Sequence, residues 1–246
     1  MKPKYALILS LLITALIFLN IHFINSIDNV QRETAFVSRV IDGDTLELDT
    51  GRIIRLLNIN TPEKNEQGYN LAKDFLKKFE NKTIEIEEIG AYKYVSTLAI
   101  IYLKDYLNVQ IVWEGLAKKF LVQQTELKEF ASAEKEAIEN EKGIWKKSPF
   151  YNCISSEITA QAESGKLENS CSNLNFKDFL LTDESRKKYK FNSIKFNVIT
   201  LYTKEGEDNE TSLFWNSKQN VFNDDRDTLY LFDKEGNIVY YNVYGY

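Results

Sequence analysis

The sequence predicts a mainly β protein with helices: a five-stranded closed barrel carrying three helices, then an all-β sandwich, behind an N-terminal signal or anchor helix. Three observations carry this reading. Short β-branched and apolar runs separated by Asp-Gly and Asp-Thr-Gly turns fill residues 34–59. Stretches with helical patterning then fall between further strands, at about 68–80, 107–115 and 126–142. Beyond residue 173 only strand-like runs remain.

The chain has 246 residues, 43% of them apolar and 13% aromatic, enough for two modest cores. Its 31 basic and 36 acidic side chains give a net charge of −5, spread along the chain. Composition therefore does not favour nucleic acid as an electrostatic partner.

Residues 1–28 read as a targeting segment. Lys2 and Lys4 precede an apolar run from Ala6 to Leu19, and Asp28 follows on the far side. This charge asymmetry directs the rest of the chain outward, anchored in a membrane through residues 5–24 or released by cleavage. The expected location is extracytoplasmic.

The only histidine, His22, lies inside that apolar run, which excludes Ser-His-Asp, Cys-His and His-ligated zinc chemistry from the rest of the chain. Catalysis must then rest on carboxylates, arginine or lysine, and a metal. The two cysteines, Cys153 and Cys171, are expected to form a disulfide outside the cytosol.

Strands are expected over Ala35–Ile41, Thr45–Leu48 and Ile53–Ile59, a helix over Gly68–Glu80, and strands over Thr83–Ile89 and Thr97–Leu103. Two helices follow, Leu107–Gly115 and Glu126–Lys142. Five strands interrupted by a helix indicate an OB-type barrel, here within residues 29–150. Tyr151 to about Asn173 reads as a linker or loop-rich entry to a second unit, residues 151–246. That unit carries strands near 179–181, 189–191, 194–202, 212–215, 228–232 and 238–244, with a hairpin turn at Lys234-Glu235-Gly236-Asn237, and by strand count is an immunoglobulin-like sandwich.

The chemistry concentrates in Asp42-Gly43-Asp44-Thr45, Arg55 and Asn60-Thr61-Pro62-Glu63. An aspartate, an arginine and a glutamate gathered by strand, turn and strand can hold a hard cation, neutralise a phosphate oxygen and steer a water molecule. On spacing alone the Asp-Gly-Asp run is equally a hairpin turn, and Arg55 and Glu63 equally a structural ion pair.

With Tyr92-Lys93-Tyr94, Leu98-Ala99, Gly115-Leu116-Ala117-Lys118 and Gly143-Ile144-Trp145 added in order, residues 34–148 resemble the staphylococcal-type thermonuclease family. The resemblance implies calcium-dependent hydrolysis of DNA or RNA on an OB-fold barrel. It implies calcium held by Asp44, by Asn60 and by the Thr61 carbonyl, with Glu63 on the attacking water and Arg55 on the scissile phosphate. Lys93 and Tyr94 would face the substrate.

Two positions depart from that pattern. Asn60 replaces a metal aspartate, which implies weak calcium binding, and Ser96 replaces a second catalytic arginine. Lys93, Arg52 and Lys118 are the sequence candidates for a substitute cation, while Leu121 and Gln123 stand where stacking aromatics are expected.

Residues from about Cys153 to Tyr246 resemble a lamin-tail domain through Asn175-Phe176 to Glu184, Tyr189-Lys190-Phe191, Leu213-Phe214-Trp215-Asn216 and the 228–237 hairpin. The resemblance implies tethering to a ligand it does not name, and a full strand before Cys171 is expected to be missing. Asn223, Asp224, Asp225 and Asp227 form an acidic loop, read as a cation site or, more simply, a solvated turn. Two functions follow from the sequence: a nuclease of weakened activity, or a non-catalytic binding or scaffolding protein.

Overall fold

The structure, a computed structural model, describes residues 13–16, 32–91, 96–103 and 105–245. Residues 13–16 are helical, but most of the N-terminal segment, together with Lys93 and Tyr94, lies outside the described residues. Among the described residues no helix is long and apolar enough to cross a membrane.

β1 (Arg32–Val40), β2 (Thr45–Leu48) and β3 (Ile53–Leu56) form an antiparallel meander. Alternation along β2 buries Leu46 and Leu48 and leaves Thr45 and Glu47 half-buried, the period-two pattern of a strand with one face on the core. The expected strand 53–59 is interrupted, because Asn58 turns through a left-handed conformation, φ 66°. The chain resumes as β4 (Ile59–Asn60), which leaves the barrel to pair with β7 (Lys118–Lys119).

Helix α1 (Tyr69–Lys77) follows, burying Ala72 and Leu76. Its N-terminal neighbour, Gly68, has φ 91°, and a Cβ there would stand 2.3 Å from Ile144 Cγ2, so the position requires glycine. β5 (Thr83–Ala91) and β6 (Ser96–Tyr102) complete the barrel in the order β1-β2-β3-β6-β5, with β3 and β6 parallel and the antiparallel β5–β1 pair closing it. Helices α2 (Leu107–Trp113) and α3 (Leu127–Glu139) pack against it.

Buried Asn108 on α2 fastens this corner. Its amide donates to the carbonyls of Leu57 (2.9 Å) and Ala99 (3.1 Å) and accepts from Ile101 N (3.0 Å). Every polar atom of the side chain is thus matched, which offsets its burial.

The segment expected to be a linker is a hairpin instead. β8 (Ile154–Thr159) and β9 (Ser164–Asn169) pair over six residues, so a complete strand does stand before Cys171. Ile154 and Leu167 reach the core while serine, lysine and glutamate occupy the outward positions, which is why the hairpin reads as loop.

The remaining strands are β10 (Leu180–Thr182), β11 (Lys188–Lys190), β12 (Val198–Tyr202), β13 (Ser212–Phe214), β14 (Asp227–Phe232) and β15 (Ile238–Tyr244). They form two four-stranded sheets, β11-β10-β14-β15 and β13-β12-β9-β8, which share one buried cluster around Phe176, Leu181, Leu201 and Leu231. A Cys153–Cys171 disulfide, Cα–Cα 5.3 Å, spans the β8–β9 hairpin.

The barrel and these sheets meet in a seam of their own. Trp145, after α3, packs on Tyr230 and Phe232 of β14, with ring centroids 5.5 and 6.2 Å away. Ile138 and Ile144 join Tyr230 and Ile238 in the same buried cluster.

Below the rings lies a polar core. Lys119, 1% exposed, pairs with Glu134 of α3 at 3.4 Å and contacts Glu184 and Thr228 of the C-terminal sheets. Glu134 also accepts from the Tyr230 hydroxyl at 2.8 Å.

Candidate active site

The turn Asp42-Gly43-Asp44 carries the first site residue. Asp42 Oδ1 accepts from Asp44 N at 3.1 Å, and a Cβ on Gly43 would lie 2.6 Å from Ala72 Cβ and 2.8 Å from Thr61 Oγ1. Only glycine lets this turn pass so close to α1 and the Thr61 segment.

Asp44 is 3% exposed. Its Oδ2 accepts from both the backbone N and the Oγ1 of Thr61, each at 2.9 Å, and its Oδ1 accepts from Thr45 Oγ1 at 3.0 Å and pairs with Arg55 Nη1. Arg55 projects from β3, and its Nη2 donates to Asn60 Oδ1 at 2.7 Å and to the Ile59 carbonyl at 3.2 Å. Asp44, Arg55, Asn60 and Thr61 therefore form one buried, interlocked group.

Glu63 lies beyond that group on the rim, its side chain 63% exposed. Its backbone N donates to Glu66 Oε2 at 2.8 Å, and its carboxylate pairs with Arg186. The ion pairs of the site are thus Asp44–Arg55 and Glu63–Arg186, rather than Arg55 with Glu63.

Arg186, on the C-terminal side of the seam, is the residue that sequence reasoning missed. It donates from Nη2 to Asn60 Oδ1 at 2.7 Å, the same oxygen that Arg55 uses. Its turn is organised by buried Asp183, whose carboxylate accepts from Lys187 N at 2.7 Å and from Ser185 Oγ at 2.5 Å. Burial lowers the Arg186 pKa and Asp42 opposes the shift, and the guanidinium stays charged.

Asn60 has a further bond that an aspartate could not make: Nδ2 donates to the Glu184 carbonyl at 2.9 Å. Its amide oxygen faces two guanidiniums and its amide nitrogen faces the C-terminal sheets. The asparagine is fitted to the seam.

These contacts decide the fit of calcium. One carboxylate, Asp44, is paired with an arginine, and the Asn60 oxygen accepts from two more guanidinium nitrogens. A hard dication needs six to eight oxygens with carboxylates among them, so the donor set as arranged does not fit a tightly held ion. Among the described residues no group of three or more His, Cys, Asp or Glu side chains could hold a metal.

The other sequence candidates fall in different places. Arg52 points away from the site and pairs with Glu33 and Glu88. Ser96 begins β6 opposite Ile53. Leu121 is exposed, and Lys93 and Tyr94 lie outside the described residues.

Lys118 does reach the site region. Its Nζ lies over the Tyr230 and Phe232 rings at 4.4 and 4.8 Å, and burial pushes its pKa down to about 8 against the pull of Glu134, Asp183 and Glu66. In the acidic loop, Asp227 is buried and accepts from Thr228 N and Asn223 N, so it shapes a turn.

Residues 53–147 match the family described as Staphylococcal nuclease homologue. A thermonuclease of Staphylococcus intermedius is 34% identical over 160 residues, covering 57% of this chain and 95% of that protein. The chain belongs to the staphylococcal nuclease family.

A Staphylococcus hyicus thermonuclease is 30% identical over 160 residues, 56% of this chain and 95% of the relative. An uncharacterized endonuclease of Escherichia coli O157:H7 is 30% identical over 115 residues, 44% and 74% of the respective chains. The closed five-stranded barrel is the OB-fold of the staphylococcal nuclease family.

Proposed function

We propose that this chain is an exported or membrane-anchored phosphodiesterase of the staphylococcal nuclease family, acting on DNA or RNA at a rate lowered by Asn60 and Ser96. In this reading residues 1–28 direct export, 29–150 form the nuclease domain and 151–246 form a lamin-tail-like sandwich that tethers the enzyme to a further ligand. The observation that carries the proposal is the interlocked group of Asp44, Arg55, Asn60 and Thr61, with Glu63 on the rim beside it and joined to it through Arg186.

Arg55 is held by Asp44 and Asn60, so its fork is oriented before a phosphate arrives and gains strength as charge grows on the phosphate oxygens. Glu63, exposed on the rim, would orient or deprotonate an attacking water once its carboxylate leaves Arg186. The barrel itself brings no second arginine at Ser96, a loss of about a hundredfold in rate on the usual scale of a positioned charge. Calcium binding, which the family implies at Asp44, Asn60 and Thr61, is weak because it competes with Arg55 for Asp44.

A non-catalytic binding role is the second reading, favoured by one observation: Glu63 is already engaged by Arg186. The two are separated by incubating the full chain with single-stranded DNA in calcium and in chelator. Slow cleavage that calcium stimulates supports the enzyme. No cleavage at high protein concentration leaves the binding role.

A further inference from the structure

A cleft of about 350 Å³ opens from Asn60 and Thr61 along the seam, walled by the barrel on one side and β10–β11 on the other. Five basic residues line it, Lys118, Arg186, Lys188, Lys190 and Lys234, against three acidic ones, Glu66, Asp178 and Asp233. A chain of net charge −5 thus concentrates positive charge in the groove that leads out of its candidate active site.

The spacing of these cations is set by the backbone. Lys188 and Lys190 are exposed on one face of β11, with buried Tyr189 between them pointing to the core. Alternate residues of a strand are about 6.6 Å apart, and Arg186 stands in the turn just before β11, at the inner end of the cleft. That step is comparable to the separation of successive phosphates in an extended single strand.

The present partners of these side chains are exchangeable. Lys188 pairs with Glu66, and Lys190 pairs with Asp178 at 2.7 Å, both on partly exposed groups. Such pairs are worth little, so a phosphate can replace the carboxylate at small cost. At the inner end, Arg186 and Arg55 both reach the Asn60 oxygen at 2.7 Å, so a phosphate oxygen near that point would meet two guanidiniums.

We propose that the C-terminal sheets form the second wall of the substrate site, binding the sugar-phosphate backbone of a single nucleic-acid strand. Arg186 takes the reacting phosphate beside Arg55, and Lys188 and Lys190 take the phosphates that follow. Arg186 thereby supplies, from outside the barrel, the cation that Ser96 does not. On substrate binding the Arg186 fork passes from Glu63 to the phosphate, which frees Glu63 for water. This inference rests on the nuclease reading for its catalytic part only.

The test uses the full chain in two arms. In chelator, fluorescence anisotropy of a labelled single-stranded DNA oligonucleotide compares the wild type with Lys188→Gln/Lys190→Gln and with Lys128→Gln/Lys135→Gln, a charge-matched control on the exposed face of α3. The first pair is expected to weaken binding about tenfold and to flatten the dependence of log affinity on log salt by ~1.4, two single-strand phosphate contacts. Equal behaviour of the two pairs overturns the proposal.

In the second arm, Arg186→Gln is expected to lower kcat for single-stranded DNA about a hundredfold, with Arg186→Lys recovering only part because a lysine lacks the fork. Faster cleavage by Arg186→Gln would make the arginine a latch and overturn its assigned role. If the wild type does not cleave at all, the nuclease reading fails while the anisotropy arm still decides whether the cleft binds the strand.

Discussion

Asn60 Nδ2 donates to the Glu184 carbonyl at 2.9 Å, joining the floor of the candidate site to a turn 124 residues further along the chain. The departure from the family's aspartate is therefore matched by a bond that needs an amide. With Asn60 Oδ1 accepting from Arg55 and Arg186, one side chain ties together both arginines and both halves of the molecule.

Asn60→Ala removes all three bonds, taking an acceptor from two guanidiniums and a donor from the Glu184 carbonyl. The expected loss is about 2 kcal/mol or more, measured as a lower urea midpoint. An unchanged midpoint would mean the seam does not depend on this residue.

Lys119 sits between Glu134 and Glu184 with almost no exposure. Lys119→Met leaves two carboxylates buried without their cation and is expected to cost about 3–5 kcal/mol in chemical denaturation. The double change Lys119→Met/Glu184→Gln should recover part of that loss, since it removes one of the stranded charges.

The seam also sets a pH dependence. Burial, then the negative charges of Asp183 and Glu184, hold the Asp227 carboxyl up to about 7, with the backbone N–H groups of Thr228 and Asn223 opposing. Burial likewise raises Asp183. Between about pH 4 and 7 the folded state keeps a proton that the unfolded chain has released, so stability from this group is present at low pH and is lost as pH rises towards 7. Tm measured from pH 5 to 8 should fall more steeply for the wild type than for Asp227→Asn, and parallel curves would contradict this.

Removal of the Cys153–Cys171 bond by a double alanine variant is expected to cost about 3 kcal/mol, the usual scale for a loop of this size. Protease mapping should then show new cuts within residues 154–170, where the bond restrains a mostly polar hairpin.

Much of the barrel was legible from the chain because its strands read as alternating segments such as β2 or short apolar runs such as β3 and β6, with Asp-Gly and Asp-Thr-Gly turns between the first three. β2 is found at the predicted residues, and α1 sits inside the predicted helix because Ala72 and Leu76 form one buried face. The β8–β9 hairpin was not legible, since its outward positions are polar and its core contribution is small. Asp44 and Arg55 were singled out by their spacing, and Thr61 by the family resemblance. Arg186 was hidden by distance: its partners, Asn60 and Glu63, lie 126 and 123 residues away, and nothing local in Ser185-Arg186-Lys187 marks it as part of a site.

Calcium affinity follows from the same group. Isothermal titration is expected to show binding no tighter than the millimolar range, because Asp44 is paired and Asn60 is neutral. Asn60→Asp should tighten it while weakening the seam, and micromolar binding by the wild type would contradict the donor set described above.

The assignment of Glu63 as the group acting on water is tested most directly by comparing wild type and Glu63→Gln in single-turnover cleavage of a single-stranded DNA oligonucleotide by the full chain. Slow wild-type cleavage is expected, with a loss of about a hundredfold or more in Glu63→Gln and oligonucleotide affinity unchanged or improved. Cleavage that survives Glu63→Gln at the wild-type rate would place the chemistry elsewhere and contradict that assignment.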